Sequence, residues 1–159
     1  MEPTDDDLLR RAIELAGEAA TRGNRPFGAV IVTADGVVVA EGRNRVAETG
    51  MVTEHAELTA ITAAITAGRG EALRGATIYA SGEPCPMCAA AVVWAGITRV
   101  VFAAAEPDFT PIIGGHPRFT LRCAEVVGAS DANVTVSGPN LGDEALAPFR
   151  SFAAAHNRD

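Results

Sequence analysis

Two short segments hold the residue types best suited to chemistry, Thr53-Glu54-His55-Ala56-Glu57 and Glu83-Pro84-Cys85-Pro86-Met87-Cys88. His55, Cys85 and Cys88 offer an imidazole and two thiolates, the nitrogen and sulfur donors that zinc takes in a tetrahedral shell. With three protein ligands the fourth position stays open for water, as in a catalytic site. Cys85 and Cys88 are three positions apart, so they share one face of a first helical turn, where the helix N-terminus favours thiolate over thiol. Glu57 is not needed as a ligand. A carboxylate beside metal-bound water can take its proton and later give it to a leaving amine. Zinc brings the pKa of that water to roughly 7. The hydroxide can then attack an aromatic ring carbon bearing an amino group, and ammonia leaves.

Each half of this pattern has a plainer reading. His-Ala-Glu alone carries almost no signal. C-x-x-C alone fits a redox pair, half of a structural zinc site or core packing. A structural site needs a fourth Cys or His; Cys123, His116 and His156 remain, and none has ligand-like spacing. The combination is far more specific, because H-x-E followed by P-C-x-x-C is a signature of zinc deaminases. The competing class is a non-catalytic, zinc-stabilised interaction domain.

These side chains must be positioned by a scaffold. Thr4 can cap a first helix, with Asp5 to Asp7 in its first turn. Leu8, Ala12, Leu15 and Ala19 follow at helical spacing, and Gly23 and Asn24 end the run. Residues 27–33 and 37–40 flank Asp35-Gly36 and read as a β-hairpin. Residues 43–52 read as a loop. Thr53 caps a helix to about Ala67, closed by Gly68. A strand over 77–80, a proline-opened helix over 84–95 ended by Gly96, and a strand over 99–104 make a right-handed parallel βαβ unit. Residues 106–118 contain Pro and Gly and read as a loop. A helix over 119–127, a fifth strand over 133–137 and a terminal helix over 141–156, interrupted at Pro148, complete the chain. The sum is a single three-layer α/β/α domain, 1–159, with a mixed five-stranded sheet. Its catalytic core spans about 5–140.

Composition bounds the rest. The 159 residues are 48% hydrophobic and 21% charged, with only 5% aromatic, so Ala, Val, Leu and Ile must build the core. The net charge is −7, and all 13 basic residues are arginine. Such a chain repels phosphate backbones, which argues against a nucleic-acid partner. Arg22, Arg25, Arg43 and Arg45 lie close in sequence and read as solvated loop charge. Three cysteines, an odd number, argue against a secreted disulfide framework. The acidic start is unlike a targeting segment, and no apolar run is long enough for a membrane span. The expected location is the cytoplasm.

From about Pro26 to Ala105 the chain resembles the cytidine deaminase superfamily. The resemblance rests on Pro26-Phe27-Gly28-Ala29, Asn44, His55-Ala56-Glu57 and Glu83-Pro84-Cys85-Pro86-Met87-Cys88, in that order. It implies that His55, Cys85 and Cys88 bind Zn2+ and that Glu57 is the proton shuttle. It also implies that Asn44 contacts the substrate, with backbone groups near Ala29 and Cys85. The E-P-C-P-M-C form is similar to guanine deaminases and tRNA adenosine deaminases, and Val92-Val93-Trp94-Ala95 resembles the guanine deaminase branch. The acidic pI disfavours tRNA. Trp94 would stack on a purine or pack its helix on the sheet. Phe27 would line the pocket or, more simply, join the core. Asp108, with Glu106 as the alternate, matches by neighbourhood an acidic residue that assists proton transfer to the ring. The resemblance further implies a homodimer, in which the helix over 141–156 is exchanged between subunits or packs on its own chain through Phe149 and Phe152. The expected reaction is hydrolysis of a free nucleobase, guanine to xanthine. The alternatives are cytosine, an aminotriazine, a nucleoside, or adenosine in tRNA.

Overall fold

The computed structural model describes residues 2–156. The chain begins with α1 (Asp5–Thr21), where Thr4 Oγ1 accepts from the Asp7 backbone and the Asp7 carboxylate accepts from the Thr4 backbone. Strands β1 (Gly28–Val32) and β2 (Val38–Arg43) form the expected antiparallel hairpin. Then come a single turn, α2 (Val46–Thr49), α3 (Ala56–Thr66), β3 (Thr77–Gly82), α4 (Pro86–Ala95) and β4 (Arg99–Ala104). The chain closes with α5 (Glu106–Ile113), α6 (Cys123–Gly128), β5 (Thr135–Ser137) and α7 (Gly142–His156).

The five strands lie in the order β2-β1-β3-β4-β5. β1 pairs antiparallel with β2 and β3, whereas β3, β4 and β5 run parallel. This is the expected mixed sheet, and alternation along each strand feeds two cores. Ile31, Ile78, Ala80, Val100 and Phe102 face a cluster that includes Ala56 and Ala60 of α3, Ala89 and Val92 of α4, and Val127 of α6. Val30, Val32, Tyr79, Val101 and Ala103 face a second cluster with Leu8, Leu9 and Ala12 of α1, Phe109 of α5, and Ala145 and Phe149 of α7. Small side chains let the layers approach closely. A Cβ on Gly42 would lie 2.3 Å from the Ala56 carbonyl oxygen and 2.5 Å from the Ala60 nitrogen. Glycine is therefore what allows α3 to seat on β2.

Four expectations are corrected. Residues 106–113 are helical although the prolines there read as breakers. Pro107 sits in the first turn, where no backbone N–H is needed, and the Phe109 ring packs against both Phe27 and Phe149. α7 likewise runs through Pro148 without interruption. α3 starts after His55 rather than at Thr53, and residues 53–54 join a turn in which the Arg45 backbone donates to the Glu54 carbonyl. α6 starts only at Cys123, where the Glu125 carboxylate accepts from the Arg122 backbone; Phe119 and Leu121 before it stay exposed. Phe149 is fully buried and stacks on Phe109 at 4.8 Å, with Phe27 edge-on to both at 5.3 Å. Phe152 instead stacks on His156 near the end of the helix.

Candidate active site

The two motifs sit at the N-termini of neighbouring helices on one face of the sheet. His55 is the residue before α3, in extended conformation, and Glu57 is in the first turn of that helix. Cys85 holds the same place before α4, with Pro86 inside the first turn and Cys88 one turn on. β2, which precedes α2 and α3, and β3, which precedes α4, flank β1 and both run antiparallel to it, so the two chain segments leave the sheet at the same end. His55 Nδ1 thereby lies 3.5 Å from Cys85 Sγ and 3.6 Å from Cys88 Sγ. The three ligand atoms fall within 4.8 Å of one another.

The donor set fits zinc. With Zn–N of about 2.0 Å and Zn–S of about 2.3 Å in a tetrahedron, nitrogen and sulfur ligands lie about 3.5 Å apart. The two imidazole–sulfur separations have that length. Cys88 is fully buried and Cys85 partly so, which leaves the approach to the triad on the Cys85 and His55 side.

The electrostatics of the protein groups point the same way. Cys85 is driven down to about 4, first by its hydrogen bond with Cys88, against burial, and then by His55. Cys88 is pushed up by the same bond, by burial and by Glu57. His55 is raised by its contact with Cys85. Glu57, 4% exposed, is lifted to about 7 by burial and then by the Cys85 thiolate. A thiolate and a carboxylate forced together in a buried pocket call for a cation, and a divalent metal answers that need.

Asn44 follows β2 at the same end of the sheet and is buried. Its backbone donates to the Phe27 carbonyl, and its Oδ1 accepts from the Val46 backbone, so the amide nitrogen is the group left to meet a ligand. The adjoining turn is held by Asn24, fully buried, which donates to Glu48 Oε1 at 2.7 Å and accepts from the Glu48 backbone.

The remaining sequence candidates differ in placement. Ala29 is fully buried in the strand ladder between Gly42 and Ala80, with its side chain in the α3-side core. The Phe27 ring is used in the Phe109–Phe149 cluster and covers Gly82. Trp94 neither packs on the sheet nor closes a pocket in its own chain; it is 89% exposed, because the buried face of α4 is Cys88, Ala89 and Val92. Asp108 is exposed and lines a cleft with Asn140 and Leu146 on the α7 side of the sheet, opposite the zinc ligands. Glu106 is half-buried and accepts from Thr110. Of the basic residues that read as solvated loop charge, Arg22 and Arg43 share Glu48, and Arg45 pairs with Glu54. Arg25 instead donates to the Gly114 carbonyl. Among the described residues no helix is long and apolar enough to cross a membrane.

Glu83 escaped the sequence reading as a residue in its own right. Its side chain is 3% exposed and pairs with Arg122. Burial pushes this carboxyl up, but Arg122 and the backbone N–H groups of Glu106 and Cys123 more than offset that and hold it below the usual range. Nothing local foretells a partner 39 positions away.

Residues 2–104 match the family model for the cytidine and deoxycytidylate deaminase zinc-binding region. The chain is 35% identical over 156 residues to a probable cytosine deaminase of Schizosaccharomyces pombe, covering 95% of this chain and 94% of that one. It is 43% identical over 104 residues to the guanine deaminase of Bacillus subtilis, covering 65% and 66%. The protein NE0047, solved in complex with 2,6-diaminopurine, superposes with a TM-score of 0.82 at 27% identity, over 96% of this chain and 83% of that one. The match spans both zinc-binding motifs and the sheet that brings them together; the chain belongs to the cytidine and deoxycytidylate deaminase family and is a zinc-dependent hydrolytic deaminase.

Proposed function

We propose that the chain deaminates a free purine-type base, guanine to xanthine, with release of ammonia. The observation that carries the chemistry is the convergence of His55, Cys85 and Cys88 beside the buried Glu57 carboxylate. Zinc held by His55, Cys85 and Cys88 would supply an activated water as the nucleophile. A new C–O bond forms at the ring carbon, and the C–N bond to the amino group breaks. Glu57 would carry two protons in turn, the one released by the attacking water to the ring nitrogen and then the one on the new hydroxyl group to the departing amine, which leaves as ammonia. Asn44 orients the ring through its free amide N–H. A free base is favoured over a polynucleotide because Arg22, Arg43 and Arg45 are already paired with carboxylates and the chain is acidic. A purine is supported by the likeness to a guanine deaminase and to a protein solved in complex with 2,6-diaminopurine.

Cytosine is the second reading, favoured by the relative matched along almost the whole chain. Ammonia release from guanine, cytosine, aminotriazines, nucleosides and tRNA decides between them. Guanine turnover at least tenfold above every other compound supports the proposal. A preference for cytosine, or turnover confined to tRNA, overturns it. The same reading includes a homodimer; full activity from a species that sediments as a monomer would remove that part.

A further inference from the structure

We propose that Glu83 is a positioning residue for the Cys85 sulfur: its buried carboxylate locks the segment between β3 and α4 to α5 and α6, holding Cys85 in register with His55 and Cys88. This rests on the reading of those three residues as zinc ligands.

The carboxylate is where three elements meet. Oε1 accepts from the Glu106 backbone at 3.0 Å, at the start of α5. Oε2 accepts from the Cys123 backbone at 3.1 Å, at the start of α6. Arg122 Nε bridges both oxygens at 3.0 and 2.9 Å, and Arg122 Nη2 adds a contact to Oε1 at 2.9 Å. The carboxylate's acceptor capacity is thus largely committed, in a place almost closed to water.

The connection to Cys85 is short. The Glu83 backbone donates to the Ala104 carbonyl at 2.8 Å, extending the β3–β4 ladder one residue beyond Gly82. Only Pro84 separates Glu83 from Cys85, and the proline ring holds its φ. The Cys85 carbonyl already accepts from Ala89, the first bond of α4. The strand end and the helix start are therefore bridged by three residues, Glu83 to Cys85, and the Glu83 side chain is the polar link from that bridge to α5 and α6. Glutamine has the same shape but one acceptor oxygen, so its amide group would face a donor that the carboxylate now accepts. The bridge would relax, and Cys85 with it.

Zinc release tests this. Zinc-loaded wild type, Glu83→Gln, Arg122→Gln and Val127→Ala are mixed with a chromogenic chelator, and their melting temperatures are recorded. Val127 is a buried apolar residue of α6 that makes none of the Glu83 bonds, so its truncation controls for general loosening. Glu83→Gln should release zinc roughly tenfold faster than wild type. Arg122→Gln should fall between, and Val127→Ala should keep the wild-type rate despite a lower melting temperature. With zinc saturating, Glu83→Gln should lower kcat while KM stays within about threefold, because the change reaches the reacting centre rather than the ring pocket. Wild-type release from Glu83→Gln, or equally fast release from Val127→Ala, overturns the proposal. If Glu83→Gln does not fold, Arg122→Gln decides, and release at the wild-type rate is the refuting result. A wild type that holds no zinc would instead sink the ligand assignment, and this role with it.

Discussion

Replacing Glu57 with glutamine should move catalysis and stability in opposite directions. Burial and the Cys85 thiolate raise this carboxyl from 4.5 to about 7 in the metal-depleted chain. An acid with a folded-state pKa above its unfolded value binds its proton more tightly when folded. Ionising it therefore penalises the native state. The penalty is absent below about pH 4.5, grows towards pH 7 and is constant above, where it amounts to about 3 kcal/mol as an upper bound. Glutamine removes it, so urea denaturation of chelator-treated protein at pH 8 should show Glu57→Gln more stable than wild type, by about 1–3 kcal/mol. At pH 4 the two should converge. Zinc-loaded Glu57→Gln should lose both proton transfers, and ammonia release should fall about a thousandfold, about 4 kcal/mol in the barrier. The reasoning is wrong if the variant releases ammonia within tenfold of wild type, or if it is the less stable protein at pH 8.

Further outcomes follow from other contacts. Cys85→Ser should drop bound zinc, measured by atomic absorption, from about one per chain to a small fraction, since the hard hydroxyl is a poor substitute for thiolate. Gly42→Ala places a Cβ against the first turn of α3; it should cost about 1–3 kcal/mol in urea denaturation and lower kcat more than tenfold by shifting His55 and Glu57. Phe149→Ala removes the centre of the aromatic cluster and should cost about 3–5 kcal/mol, a fall in melting temperature of roughly 10 °C. Asp5 is held below the ordinary carboxylate range first by Arg99, against burial, with help from Tyr79. Its stabilisation is present above about pH 4 and is lost as pH falls through the lower folded-state value. The difference in melting temperature between wild type and Asp5→Asn should therefore shrink below pH 4; a difference that widens there contradicts the pairing.

The residues of the metal site were legible from order and type alone. A histidine and a C-x-x-C pair with a glutamate two positions on state their own chemistry, because zinc selects donors by element and helical turns convert spacing into proximity. Thr4, Gly68 and Gly96 marked helix ends for equally local reasons. The hairpin and the parallel βαβ unit also followed from local pattern. What failed was whatever depended on a distant partner. The prolines at 107 and 148 read as breaks, yet α5 and α7 are held by Phe27, Phe109 and Phe149 meeting from three separate segments. Trp94 and Asp108 lie on the exposed faces of α4 and α5, because the apolar faces of those helices turn inward, and no local pattern announced that orientation. Glu83 was visible only as part of a motif, since its meaning comes from Arg122 and Cys123. Residue type and short spacing thus determined which groups could bind zinc and move a proton. The tertiary packing of two cores across one sheet decided which of the other side chains are buried and which face solvent, because burial is a property of the assembled layers and not of any stretch of chain.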